Sequence, residues 1–244
     1  MIYIENMTKF YEQVCAVRNL NLSIPAGEVF AFLGPNGAGK TTTIKVLTGL
    51  LHPTKGRALI GGFDIQKQPF EAKRLIGYIP DHPYVYEKLS GYEFFRFIGD
   101  LFGVPENIQE ERFEYYFNLF GLMNAKDKLI ENYSHGMRQK LVMSVSLMHN
   151  PRVIIVDEPM VGLDPQSSNV VKKLFRQCAD NGVALFLSTH TLSVAEELSD
   201  RIGLINHGEL IFLGTMDEMR RTTQKDGNLE ELFLELTGRE IASA

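Results

Sequence analysis

The stretch Gly34-Pro35-Asn36-Gly37-Ala38-Gly39-Lys40-Thr41 admits few folds. Two glycines five residues apart, a lysine and a hydroxyl form a phosphate-loop pattern, which requires a strand before it and a helix after it. Both flanks are right. "EVFAFL" is a continuous apolar run of the kind found in strands buried on both faces, and "TTTIKVLTGLL" reads as a helix. The glycines allow backbone N–H groups to turn inward around β- and γ-phosphates at the helix N-terminus. Lys40 then neutralises phosphate charge, and the Thr41 hydroxyl is placed to ligand Mg²⁺.

A second stretch answers the first. In "RVIIVDEP" four apolar residues bury a strand, and Asp157 and Glu158 stand at its C-terminal end. That is where α/β sheets bind ligands. Beside a phosphate loop, Asp157 is placed to hold Mg²⁺. Glu158 points to the opposite side of the strand and is placed to polarise a water.

The remaining periodicities make an α/β core interrupted by helices. Residues 1–33 read as strands, "RALIGGFDI" as a hairpin turning at Gly61-Gly62, and "RLIGYIP" as a further strand. From Gly91 to about Phe120 the pattern is helical, with Phe113, Tyr116, Phe117 and Phe120 on one face. "GMRQKLVMSVSLMHN" is another helix. After Pro151 strands and helices alternate again, and "NLEELFLELTG" ends as a short amphipathic helix. The expected organisation is one domain over 1–238. Its core is about 1–80 and 151–220, its helical insertion about 84–150, and a short helical tail covers 221–244.

Composition narrows the class. A formal net charge of -5 argues against a chain built mainly to bind nucleic acid. Cys15 and Cys178 have no metal-ligand spacing between them. The first residues lack the basic start and apolar core of a leader, and no apolar run approaches the ~18 residues of a membrane span.

Three further motifs are weaker taken singly. In "NYSHGMRQK", Ser134 precedes a helix with no acid in its first turn and with Arg138 and Lys140 behind it. That helix start can meet an anion or simply carry a serine cap. In "FLSTH", His190 follows a buried strand end. In "IGYIPDHP", Asp81 and His82 lie between two prolines that stiffen the joint between core and insertion.

Taken together, these segments resemble the nucleotide-binding subunit of an ATP-binding cassette transporter, of the exporter type, from about Ile2 to Gly238. The resemblance implies a P-loop NTPase core with an antiparallel β subdomain and an inserted helical subdomain. It implies ATP and Mg²⁺ as cofactors. The phosphate loop becomes Gly34 to Thr42, with Asn36, Gly37, Ala38, Gly39, Lys40, Thr41 and Thr42 around the nucleotide. Tyr11 is expected to stack on adenine. Asp157 and Thr41 complete the metal site, Glu158 is the catalytic carboxylate, and His190 is the switch contact to the γ-phosphate. Ser134, His135, Gly136 and Met137 fall in the signature motif, which acts on ATP held by the opposite subunit. Asp164, in "GLDP", falls in the loop that crosses the dimer interface.

Three positions depart from the family pattern. His135 replaces the first glycine of the signature and Met137 its glutamine. Asp81 stands where the family carries a glutamine that reaches Mg²⁺ and the attacking water. Aspartate can bind a cation or accept a bond from water, but donates none while ionised. His82 has no family role.

The resemblance also implies the partners: a second nucleotide-binding subunit, identical or not, and integral membrane transporter subunits. It implies a peripheral position on the cytoplasmic face of the cell membrane. Of 25 aromatic residues, 12 lie between Tyr84 and Phe120. Such a cluster either packs a small helical core or receives a partner helix, and Tyr84 to Leu89 is the expected docking segment. A cassette working on ribosomes or DNA, and a regulatory subunit that does not hydrolyse ATP, are the alternative readings.

Overall fold

The computed structural model describes residues 1–223 and 229–238. The chain opens with a long hairpin, β1 (Ile2–Tyr11) and β2 (Val14–Ile24), then β3 (Val29–Leu33) and α1 (Lys40–Leu47). The short strands β4 (Lys55–Ile60) and β5 (Phe63–Asp64) follow, with α2 (Pro69–Lys73) and β6 (Ile76–Ile79). Helices α3 (Gly91–Leu101), α4 (Glu106–Leu119) and α5 (His135–Leu147) come next, in the stretch expected to be the helical insertion. The core resumes with β7 (Val153–Asp157), α6 (Pro165–Asp180), β8 (Ala184–Ser188) and α7 (Leu192–Leu198). It closes with β9 (Arg201–Asn206), β10 (Glu209–Gly214), α8 (Met216–Thr223) and α9 (Leu229–Thr237).

Two sheets result. One is antiparallel, in the order β2-β1-β4-β5, and the other runs β10-β9-β3-β8-β7-β6. In the second sheet every pairing from β9 to β6 is parallel, and only β10 is antiparallel. The central strands β3, β7 and β8 are buried at every residue, which explains their unbroken apolar runs. Alternate residues serve opposite faces. Val153 and Ile155 join the cluster under the antiparallel sheet, with Phe30, Phe32 and Phe186 in mutual ring contact. Ile154 and Val156 join the cluster under α3 to α6.

The helical run expected from Gly91 to about Phe120 is two helices. Gly103 takes a left-handed φ of 67° and Pro105 caps the second helix, so the chain turns between them. α3 begins with a reciprocal capping box between Ser90 and Glu93. The short α2, starting at Pro69, and the 8-residue α8 were not expected. The tail forms a helix where "NLEELFLELTG" predicts one. Of the expected tail 221–244, residues 224–228 and 239–244 lie outside the described residues.

Candidate functional site: a phosphate-binding cleft at four strand ends

The order β3-β8-β7-β6 places the C-terminal ends of four parallel strands side by side. The phosphate loop follows β3, Thr189-His190 follows β8, Glu158 follows β7 and Asp81 follows β6. A cleft of about 290 Å³ opens there, walled by Asn36, Gly37, Gly39 to Thr42, Asp81, Asp157, Glu158 and His190, with Ala16 from β2. Segments more than a hundred residues apart in sequence therefore share one cavity.

The phosphate loop is shaped for anions. Gly37 and Gly39 have φ of 80° and 114°, the left-handed region that glycine enters without the penalty of a Cβ. Lys40 is 9% exposed, and its Nζ donates to the carbonyls of Gly34 (2.6 Å) and Pro35 (3.1 Å). Burial pushes the Lys40 pKa down, while Glu158 and Asp157 oppose that shift. α1 has no acid in its first turn. Its positive end therefore stays free to meet phosphate.

Asp157 is 5% exposed. Burial raises its pKa to about 6, the Ser188 hydroxyl and Lys40 work against the rise, and the Asp81 and Glu158 carboxylates add to it. A cation would relieve this cost. Among the described residues no cluster of three or more His, Cys, Asp or Glu side chains forms a metal cage. One or two carboxylates, a hydroxyl and open space suit Mg²⁺, which keeps waters and takes the remaining oxygens from phosphate. Thr41, Asp157 and Asp81 line the same cleft, so the donor set fits.

Glu158 is held under strain. Its φ of 50° is left-handed, which costs a residue with a Cβ about 1–2 kcal/mol. Its N–H donates to the Ser188 carbonyl at 2.8 Å. Its carboxylate accepts from the His190 N–H (2.8 Å) and the Thr189 hydroxyl (3.0 Å), and lies 2.7 Å from His190 Nδ1. The side chain of Glu158 is 16% exposed and that of His190 64%. Glu158 and His190 thus meet at the cleft's edge as a fastened pair. Thr189, 2% exposed, was not singled out from sequence although it lies inside the quoted "FLSTH".

Asp81 lines the cleft and is bound by its neighbour. The His82 N–H donates to Asp81 Oδ1 at 2.8 Å and the His82 ring lies 2.8 Å from Oδ2. His82, given no role from sequence, orients the carboxylate. From the other side, buried Gln139 of α5 donates to the Pro80 carbonyl at 3.2 Å.

The other expected residues lie elsewhere. Ser134 caps α5, its Oγ accepting from the Met137 N–H at 3.3 Å, and Ser134 and His135 are exposed. None of Ser134 to Met137 lines the cleft. Gly136 is packed so closely that a Cβ there would lie 2.7 Å from the Gly162 carbonyl. Asp164 caps α6 through the Ser167 N–H (2.9 Å) and hydroxyl (2.6 Å), and these bonds hold its pKa down at about 2. Lys140 stands 3.8 Å from it. Tyr11 lies 44% exposed at the hairpin tip, with Lys9 Nζ 5.3 Å from its ring centre. Ala16, not Tyr11, is the hairpin residue in the cleft wall.

The fold and this cleft define a nucleotide-binding ATPase of the phosphate-loop class. Residues 17–161 match the family described as ABC transporter. The linearmycin resistance ATP-binding protein LnrL of Bacillus subtilis is 37% identical over 220 residues, 90% of this chain and 70% of that protein. The daunorubicin/doxorubicin resistance ATP-binding protein DrrA of Streptomyces peucetius is 39% identical over 88% of this chain and 65% of its own length. The lantibiotic transport ATP-binding protein SrtF of Streptococcus pyogenes is 34% identical over 96% of each. A solved ATP-binding subunit of an ABC transporter superposes with a TM-score of 0.94 at 30% identity, covering 97% of this chain and 99% of that one. The cassette MJ0796, solved as a dimer with ADP and Pi, shares the fold with a TM-score of 0.82 at 22% identity, over 88% of this chain and 99% of its own. The chain belongs to the ABC transporter family, as its ATP-binding cassette.

Proposed function

We propose that this cassette powers export through a separate membrane subunit, by ATP-driven closure of a head-to-tail pair of cassettes. One observation carries the reading: the four strand ends bring Lys40, Asp81, Asp157, Glu158 and His190 into one cleft beside the phosphate loop. The backbone amides of the loop and Lys40 bind the β- and γ-phosphates. Thr41 and Asp157 would hold Mg²⁺, and Asp81 lines the same cleft. When bound, the ion would neutralise charge that develops on the transferred phosphoryl group. Glu158 accepts the proton of the attacking water. His190 holds Glu158 in place and contacts the γ-phosphate.

Ser134 and Gly136 serve the partner cassette: Ser134 is exposed at the start of α5, and neither residue lines this chain's own cleft. Closure then depends on ATP occupying both shared sites, a ligand-driven population shift. No helix among the described residues is long and apolar enough to cross a membrane. The membrane partner docks on the surface. An apolar groove of about 360 Å³ between core and insertion suits its helix, with Leu50, Tyr78, Tyr84, Phe94, Ile98 and Val145 among its walls. Of the expected docking segment, Tyr84 lines this groove, whereas Tyr86 turns onto Phe94 and Phe97. The drug-resistance and lantibiotic-transport relatives support export of a drug or peptide cargo.

Purified chain with Mg-ATP should release phosphate. Glu158→Gln should lower turnover about 100-fold or more while nucleotide binding stays within about twofold. Equal turnover in both proteins would remove Glu158 from the mechanism.

A further inference from the structure

The last helix reaches the same end of the sheet as the phosphate loop. α9 buries Leu229 and Leu232 completely, in a cluster with Ala31, Leu33, Ala195 and Met219. It packs against α7 and α8, and α7 begins two residues after His190. On that side lies a second cavity, of about 280 Å³. Its walls are Gly34 to Asn36 of the phosphate loop, Thr189, His190, Leu192 and Phe233 of α9. The tail therefore contributes a side chain to a cavity that the phosphate loop and the histidine share.

The cavity borders the segment that carries His190. Thr189 and His190 are tied to Glu158 on one side. On the other they border this cavity, and Leu192, in the first turn of α7, packs in the same apolar cluster as Phe233. An aromatic ring at that point limits how far the segment 189–192 can move away from Glu158. Removing it would enlarge the cavity and strip apolar contact from the first turn of α7.

We infer that Phe233 is a positioning residue, through which the tail helix holds Thr189-His190 in register with Glu158 and the phosphate loop. The inference rests on the proposed role of His190. In the full chain, Phe233→Ala should lower kcat for ATP about fivefold while KM and nucleotide Kd stay within about twofold, and Phe233→Leu should restore at least about half. Leu232→Ala, which removes core burial from the same helix but borders no part of the cavity, sets the scale for destabilisation. At an equal fall in melting temperature it should lower kcat less. Wild-type kcat in Phe233→Ala, or the same loss in Leu232→Ala at equal stability, overturns the inference.

Hydrogen exchange on the unmutated chain gives a second test. A non-hydrolysable ATP analogue at saturation should slow amide exchange in residues 229–234 by about threefold or more. Unchanged exchange would also overturn the inference. His190→Ala separates the two readings. If it leaves kcat intact, the proposed role of His190 fails. If it abolishes turnover while Phe233→Ala does not, only the tail's role fails.

Discussion

Asp157 shows what the site costs one residue. Folding raises its pKa to about 6, so the folded chain keeps a proton that the unfolded chain releases. Its contribution is intact below about pH 4 and is lost as pH rises through about 6. Asp157→Asn should therefore raise the stability of the nucleotide-free chain at pH 7 by about 1–3 kcal/mol and flatten its melting temperature between pH 4 and 7. An unchanged pH profile would mean that Asp157 is not the group titrating there. Asp81 raises a different question, because its carboxylate is already satisfied by His82 yet faces the cleft. Asp81→Ala should lower ATP turnover about tenfold and leave ATP binding within about twofold. Normal turnover would reduce Asp81 to a polar joint residue. The residue types at both positions were legible in the sequence. The His82 contact was not, because a ring orientation depends on backbone geometry that prolines restrict but do not specify.

At the scale of elements, the seam between α5 and β6 joins insertion to core. Three side chains on or just beyond α5 reach the strand or its end: Gln139 to Pro80, Ser146 to Tyr78 at 2.7 Å, and His149 to Ile76 at 3.0 Å. Burial holds the His149 pKa down at about 4, so it joins the seam as a neutral ring. The helix and strand are so close that a Cβ at Gly77 would lie 2.5 Å from the Ser146 carbonyl. Gly77→Ala should cost about 1–3 kcal/mol in denaturant unfolding, because backbone rather than a flexible side chain must yield. A cost below about 0.5 kcal/mol would show that the seam can open freely. Strand and helix identities along this seam follow from apolar runs and turn residues. Their pairing does not, since Gln139 and Ser146 look like ordinary polar positions in a helical pattern.

For the molecule as a whole, the phosphate-loop cleft and the apolar groove are separate cavities, and the tail helix lies on the phosphate-loop side. Leu50 is 63% exposed and Tyr84 83% exposed at the groove, a large apolar surface to leave in water. Leu50→Asp should leave nucleotide binding within about twofold yet sharply reduce recovery of the membrane subunit when the complex is isolated. Full recovery would place the docking surface elsewhere. The strand and helix that flank the phosphate-loop pattern, the buried strand that ends in Asp157 and the change of period after Pro80 were legible in the sequence alone. Each is a local pattern: glycines that permit left-handed amides, an apolar run that must be buried, a change of period from strand to helix. The strand order β3-β8-β7-β6, the pairing of His190 with Glu158, the inner position of Ala16 and the reach of Phe233 toward the phosphate loop were decided only by the tertiary structure. They join residues separated by tens to hundreds of positions. Such contacts depend on how whole elements pack, which no short window of residues encodes.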